Sequence, residues 1–240
     1  MDDFSRNLDQ TGQHYMIDKS LIQFIIKNAD LKPSDVVLEI GYGKGALTKE
    51  LSKKCKVIAI DIAENKFDSK NVVFMHGNIL ELFDELYVKY KFNKVVSNIP
   101  YNISEPLMKI LFKHPEIDSI VLTVGKNFAE LLSRKDNRIG IIANHLYIIE
   151  PLKDVSPKAF FPSPRVDSVI LKFAPRKTNS IYRQLVLLDD VKLKNALEKI
   201  LKQKTKREVK ALTDKPLFDK RLYELSNEEF LEFNKIITSF

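Results

Sequence analysis

The chain has 240 residues, 44% of them apolar, which allows one large domain or one domain with an appendage and excludes wholesale disorder. Lys and Arg number 39 against 32 Asp and Glu, a formal charge of +7 with a pI near 9.2, which suits a polyanionic partner without requiring one. No run of eighteen apolar residues occurs, which excludes a membrane-spanning helix.

The first six residues lack a basic stretch leading into an apolar one, so no secretory signal is expected. The single cysteine, Cys55, offers neither an internal disulfide nor a metal spacing, and His14, His76, His114 and His145 are scattered. A reducing, cytoplasmic setting and no bound metal are the expectations.

Asp18 or Ser20 is placed to cap a helix through Leu21, Ile22, Phe24, Ile25 and Ile26. Short apolar runs at 36–40, 56–61, 72–75, 94–98 and 119–123 read as strands, with helical patterns between most of them, the first at 46–54. That alternation predicts an α/β fold with a parallel sheet covered on both faces. Two later runs, Ile141–Ile149 and Val169–Phe173, are expected to be strands closing the sheet edge as an antiparallel pair.

Composition shifts near Ala174-Pro175-Arg176-Lys177, which divides the chain into a first domain over 1–175 and a small helical domain over 176–240. Between Lys192 and Lys210 eight basic residues stand against Glu198 and Glu208: Lys192, Lys194, Lys199, Lys202, Lys204, Lys206, Arg207 and Lys210. Such a run is either a solvated helix face or a set of phosphate contacts.

Glu39-Ile40-Gly41-Tyr42-Gly43-Lys44-Gly45 follows a strand and opens a helix. Alternate glycines allow a sharp turn and close approach of a ligand to the backbone. The spacing differs from the dinucleotide fingerprint and from a P-loop. Asp61 ends the second strand, where a carboxylate can accept from ribose hydroxyls; a tight turn with a solvated Asp is the plainer alternative. Ser97-Asn98-Ile99-Pro100-Tyr101 ends the fourth strand. Such a corner can aim the Asn98 amide oxygen and a carbonyl of Ile99 or Pro100 at an exocyclic amine, with Tyr101 as a stacking face; otherwise it is a strand-ending turn with a core tyrosine.

Together these two corners resemble the S-adenosylmethionine-dependent ribosomal RNA adenine dimethyltransferases. Two further stretches match in the family's order: Thr11-Gly12-Gln13-His14-Tyr15-Met16-Ile17-Asp18, and Pro157-Lys158-Ala159-Phe160-Phe161-Pro162-Ser163-Pro164-Arg165-Val166-Asp167-Ser168. The resemblance implies a Rossmann-like methyltransferase sheet, S-adenosylmethionine as cofactor, and the small ribosomal subunit's RNA as partner of a monomeric enzyme. It implies Gln13 and Tyr15 over the cofactor, and Gly41, Gly43 and Gly45 along its methionine and ribose portion, beside Glu39. Asp61 would hold the ribose hydroxyls, and Asn78 would take the place of the usual Asp near the cofactor adenine. Asn98 and Pro100 would meet the target amine, with Tyr101 and Phe160 sandwiching the flipped base.

Ala63 departs from the family pattern, as do Thr123–Ala129 and Arg138-Ile139-Gly140-Ile141. The implied activity is N6,N6-dimethylation of two adjacent adenosines near the 3′ end of small-subunit RNA. A resistance-type methylase of large-subunit RNA and a catalytically weakened assembly factor are the alternatives.

Overall fold

The computed structural model describes residues 14–64, 67–176, 181–201, 209 and 213–238. The described residues up to Glu130, together with Ile148–Pro175, form one compact unit. Leu131–Tyr147 and the described residues from Arg176 onward form the second, so 131–147, assigned above to the first domain, groups with the C-terminal one.

The first unit opens with the short strand β1 (Tyr15–Met16) and helix α1 (Lys19–Asn28). Asp18 is the cap of α1, its carboxylate accepting from the backbone of Ser20 and Leu21. Then follow β2 (Val36–Ile40), α2 (Ala46–Leu51), β3 (Lys56–Asp61), β4 (Val72–His76), α3 (Ile79–Tyr90), β5 (Lys94–Asn98), α4 (Ser104–Leu111) and β6 (Ser119–Gly125). Strands β2 to β6 pair in parallel in the order β4-β3-β2-β5-β6. The chain runs outward from β2 to β4, then returns to lay β5 on the other side of β2. This reversal is a topological switch point, and ligands of open α/β sheets bind outside the carboxyl ends of the strands there.

After α5 (Lys126–Ser133) come α6 (Arg138–Leu146), β7 (Tyr147–Val155), β8 (Phe160–Phe161) and β9 (Ser168–Pro175). Strand β9 lies antiparallel on β6, and β7 forms the seventh and outer position of the sheet. The run 141–149 is thus not one strand: it is helical to Leu146 and extended only from Tyr147. Asn137 caps α6 by accepting from Gly140 N at 2.8 Å. Ile139, Gly140, Ile141, Ile142, Ala143 and Leu146 are all buried. A helix buried nearly all round shows no polar face, so its sequence looks like a buried strand.

The second unit holds α6, α7 (Ile181–Leu187), α8 (Leu193–Ile200) and α9 (Asn227–Ile237). Tyr182, Leu185, Leu197, Phe218, Phe230 and Phe233 are buried. Arg138 ties α6 to the chain ahead of α9 by donating to the carbonyls of Tyr223 and Leu225 at 3.1 and 2.6 Å. Of the basic run, Lys192, Lys194 and Lys199 lie within the described residues, and Lys194 pairs with Asp219. Lys202, Lys204, Lys206, Arg207 and Lys210 lie outside them.

At the amino end of β5 a buried ion pair locks the first unit. Lys94 Nζ meets Asp35 Oδ2 at 3.0 Å and donates to the carbonyls of Ala29 and Asp30 at the end of α1. Asn93 Nδ2 and Lys32 N donate to the same carboxylate at 2.9 and 2.7 Å. Burial pushes the Asp35 carboxyl up, but the bonds from Asn93, Lys32 and Lys94 outweigh it and hold it below its usual range.

Candidate active site

The strands that flank the switch point part at their carboxyl ends. Direct Cα pairing of β2 with β5 covers Val37 with Lys94 and Leu38 with Val95. Above that, the Ser97 hydroxyl replaces the ladder: it accepts from Ile40 N at 3.2 Å and donates to Ile40 O. A side chain interposed between two backbones opens the sheet into a cleft at the glycine corner.

The cleft is lined by Gly41, Gly43, Asp61, Asn78, Asn98, Pro100 and Tyr101, by His14 and Tyr15 of the β1 segment, and by the apolar Ile62, Ile79 and Ile103. An adjoining hollow takes Glu39, Tyr42, Lys44 and Leu47.

The glycine corner is shaped by what crowds it. Gly43 adopts φ +51°, and a Cβ there would stand 2.7 Å from the Tyr15 ring. Its bare Cα lets Tyr15 close over the turn. Gly43 N donates to Asp61 Oδ2 at 2.8 Å and Ala63 N to Oδ1 at 2.9 Å, so Asp61 is oriented by backbone from both sides. A carboxylate has about four acceptor positions, so two remain for a ligand. Gly45, expected to line the cofactor, is not among the residues lining the cleft, and a Cβ on it would meet the Phe67 ring at 2.0 Å. It serves the start of α2 and the packing of Phe67.

Glu39 is 2% exposed, and its Oε2 has no hydrogen-bond partner among the described residues. Burial pushes its carboxyl up to about 8, with the nearby Thr48 opposing and the Asp61 charge adding to the rise. At neutral pH it is therefore a protonated acid beside an ionisable Asp61. Burial, and secondarily Asp61, also raise the Tyr15 phenol.

Asn98 is the most telling residue. Its Nδ2 donates to the carbonyl of His14 at 3.1 Å, which fixes which way the amide faces. Its Oδ1 is buried and has no partner among the described residues. A buried acceptor left empty costs about 1–3 kcal/mol, so a donor brought by a ligand could be accepted here. Tyr101 stands beside it, its ring against Gly125 and its hydroxyl bonded to Ser168 Oγ at 2.5 Å. Burial raises the Tyr101 phenol, opposed by the Ser168 bond.

Asn78 reaches the cleft but already works as a helix cap. Its Oδ1 accepts from Leu80 N at 3.1 Å, and its Nδ2 donates to Glu81 at 2.8 Å. One lone pair of that oxygen stays free for an adenine amine.

Phe160, expected to sandwich the flipped base with Tyr101, is 2% exposed and packs in the apolar core with Met16, Ile22 and Ile170. Pairing of β1 with β8 puts Met16 opposite Phe160 on the inward face, which is the reason. Gln13 lies outside the described residues. Ser97, whose signal is a hydroxyl at the end of an apolar strand, was given no role by sequence reasoning and belongs here; His14, which adjoins the Gln13 and Tyr15 stretch, lines the cleft too, its Nδ1 bonded to Pro162 O at 2.8 Å and its ring 6.1 Å from that of Tyr101.

Comparison with known proteins bears on this geometry. The family model described as ribosomal RNA adenine dimethylase matches residues 5–238. The chain belongs to the ribosomal RNA adenine dimethylase family.

It is 31% identical over 95% of its length to the probable ribosomal RNA small subunit methyltransferase A of Pyrococcus furiosus, covering 91% of that protein. It is 35% identical to the Methanopyrus kandleri protein of the same description over 69% of its own length, spanning 63% of that relative. Among solved structures, a dimethyladenosine transferase from Plasmodium falciparum superposes with a TM-score of 0.65 at 28% identity, over 93% of this chain and 98% of that one. The 23S rRNA methyltransferase ErmE shares the fold, with a TM-score of 0.59 at 20% identity over 93% and 99%.

The chain is thus an S-adenosylmethionine-dependent adenine dimethyltransferase built on the seven-stranded Rossmann-like sheet. Among the described residues no helix is long and apolar enough to cross a membrane, and no His, Cys, Asp and Glu group is placed to hold a metal.

Proposed function

We propose that the chain dimethylates N6 of two adjacent adenosines near the 3′ end of small-subunit ribosomal RNA during ribosome biogenesis, acting as a cytoplasmic monomer. The names of its relatives support the target, and the buried, unpartnered Asn98 Oδ1 carries the chemistry. The residues present fit the cofactor. Gly43 offers bare backbone, Asp61 keeps acceptor positions for two ribose hydroxyls, and Asn78 retains a lone pair for an adenine amine between the apolar Ile62 and Ile79. When bound, S-adenosylmethionine supplies an electrophilic methyl group on a sulfonium.

The protein's own part is to make the target nitrogen a nucleophile and to hold it in line. Adenine N6 is poorly nucleophilic because its lone pair conjugates into the ring. Asn98 Oδ1 accepts one amine hydrogen. The Pro100 carbonyl, which already takes Ile103 N–H at 3.2 Å, has a second lone pair for the other. Two such bonds favour a pyramidal nitrogen and free its lone pair. Tyr101 stacks on the base, and its phenol, kept protonated by burial, stays bonded to Ser168. Asn98 and the Pro100 carbonyl would hold N6 facing the methyl group that the cofactor supplies, and the proton the amine gives up would pass to solvent, since no side chain is placed as its base among the described residues. Orientation of this kind lowers a barrier by about 7–11 kcal/mol at best. The target base must be flipped or single-stranded to enter.

The deciding experiment is transfer of labelled methyl to small subunits lacking adenine dimethylation, with large subunits and Asn98→Ala alongside. Dimethyladenosine in small-subunit RNA, lost in the variant, is the expected outcome. Label on the large subunit moves the protein to the resistance-type branch. Tight subunit binding without transfer makes it an assembly factor.

A further inference from the structure

Phe161 takes no part in the chemistry above. Strands β1 and β8 pair antiparallel, with Tyr15 opposite Phe161 and Met16 opposite Phe160. Opposed residues of an antiparallel pair project to the same face. Met16 and Phe160 take the core face. Tyr15 and Phe161 take the other, and Tyr15 is the ring that lines the cleft against Gly43. Phe161 is 50% exposed on that face, directly across the β1–β8 pair from the cleft-lining Tyr15.

The ribbon is held firmly. His14 Nδ1 bonds Pro162 O at 2.8 Å, Ile17 N and Asp18 N reach Ala159 O at 2.9 and 3.4 Å, and Ser163 Oγ donates to Phe160 O at 3.3 Å. A phenyl ring displayed to water on a hydrogen-bonded ribbon beside the cleft offers a flat apolar face on which a base can stack. The exposed charges of the same turn are Lys158 and Arg165, against the single acid Asp167.

We propose that Phe161 is a stacking platform for a nucleotide flanking the target adenosine, with Lys158 and Arg165 meeting its phosphates. The inference rests on the RNA methyltransferase function above and names a specificity determinant for it. A stacked base contact is sequence-tolerant and positions the strand, while Asn98 selects the amine.

The test is steady-state transfer to small subunits lacking adenine dimethylation. Phe161→Ala raises the KM for subunits about tenfold while kcat stays within about twofold. Cofactor affinity and thermal midpoint stay unchanged, and Phe161→Tyr restores the wild-type KM. A KM unchanged in Phe161→Ala overturns the proposal. So does a parallel loss of cofactor affinity or stability, or a failure of Phe161→Tyr to restore, since each marks the ring as structural. Cross-linking of this turn to a ribosomal protein and not to RNA overturns it as well. If the wild-type chain transfers no methyl, the function above fails and the platform is judged on subunit affinity alone. There Phe161→Ala still binds about tenfold more weakly if the platform exists, and equally well if it does not.

Discussion

The two ends of β5 carry buried polar chemistry and treat it in opposite ways. At the amino end, Lys94 uses its three donors on Asp35 and two carbonyls of the α1 terminus, and Asp35 is further met by Asn93 and Lys32. At the carboxyl end, Asn98 satisfies its amide nitrogen while its buried oxygen has no partner among the described residues, and in the adjoining hollow Glu39 Oε2 has none there either. The amino end spends its polar groups on the fold, and the carboxyl end leaves buried acceptors that, on the proposed function, a ligand fills. Substitutions at the two ends must therefore fall on different observables.

The largest effect on stability belongs to Lys94. Lys94→Ala leaves Asp35 buried without its cation, and urea denaturation shows a loss of about 3–5 kcal/mol. Methyl transfer well below the melting temperature stays within about twofold of wild type. Combining Lys94→Met with Asp35→Asn recovers most of the loss, because no charge is then left buried. A large loss of transfer in the folded Lys94→Ala protein would falsify the division between the two ends.

Glu39 gives the next effect, and it is visible only against pH. Its carboxyl ionises near 4.5 when unfolded and at about 8 when folded. Between those values the folded chain keeps a proton that the unfolded chain has released, so stability falls as pH rises. The loss amounts to about 3–4 kcal/mol between pH 5 and pH 8. Glu39→Gln, neutral at every pH, matches the wild type near pH 5 and flattens that slope. Denaturation midpoints across this range check it; an unchanged slope in the variant assigns the proton to another group.

Asn98→Ala reverses the Lys94 pattern. Stability shifts by no more than about 1 kcal/mol, because the lost bond to His14 is offset by removal of an empty acceptor. Transfer falls about a hundredfold, ~2.7 kcal/mol of lost transition-state stabilisation. Equal activity of variant and wild type removes Asn98 from the reaction.

Most of the sheet was legible because its strands are short apolar runs bounded by turn residues: the expected 36–40, 56–61 and 94–98 are the observed β2, β3 and β5. The glycine and Asn98 corners were legible because they end such runs at the switch point. Three things were not. Helix α6 is buried almost all round, so period 3.6 leaves no trace in the sequence. The exchange of Phe160 for Phe161 at the surface depends on β1–β8 register, a pairing across some 145 residues that local pattern does not carry. The double role of Asn78, cap and cleft wall, depends on where α3 begins.

Tyr101 separates the two uses of a side chain at one residue. Its ring faces the cleft and its hydroxyl is spent on Ser168, so the fold holds one end and the ligand site uses the other. Tyr101→Phe keeps the stacking face and loses one neutral hydrogen bond, about 1 kcal/mol of stability, with transfer lowered less than about fivefold. Tyr101→Ala loses the face itself and falls tenfold or more, in line with about 1–3 kcal/mol for a stacked base. Burial keeps the phenol protonated above its ordinary range, so the hydroxyl adds no titration near neutral pH, and Tyr101→Phe retains the wild-type pH profile of transfer. Should Tyr101→Phe be as inactive as Tyr101→Ala, the hydroxyl and its Ser168 partner would carry the catalytic role, and the carboxyl end of β5 would hold a polar contact to the base where stacking is proposed.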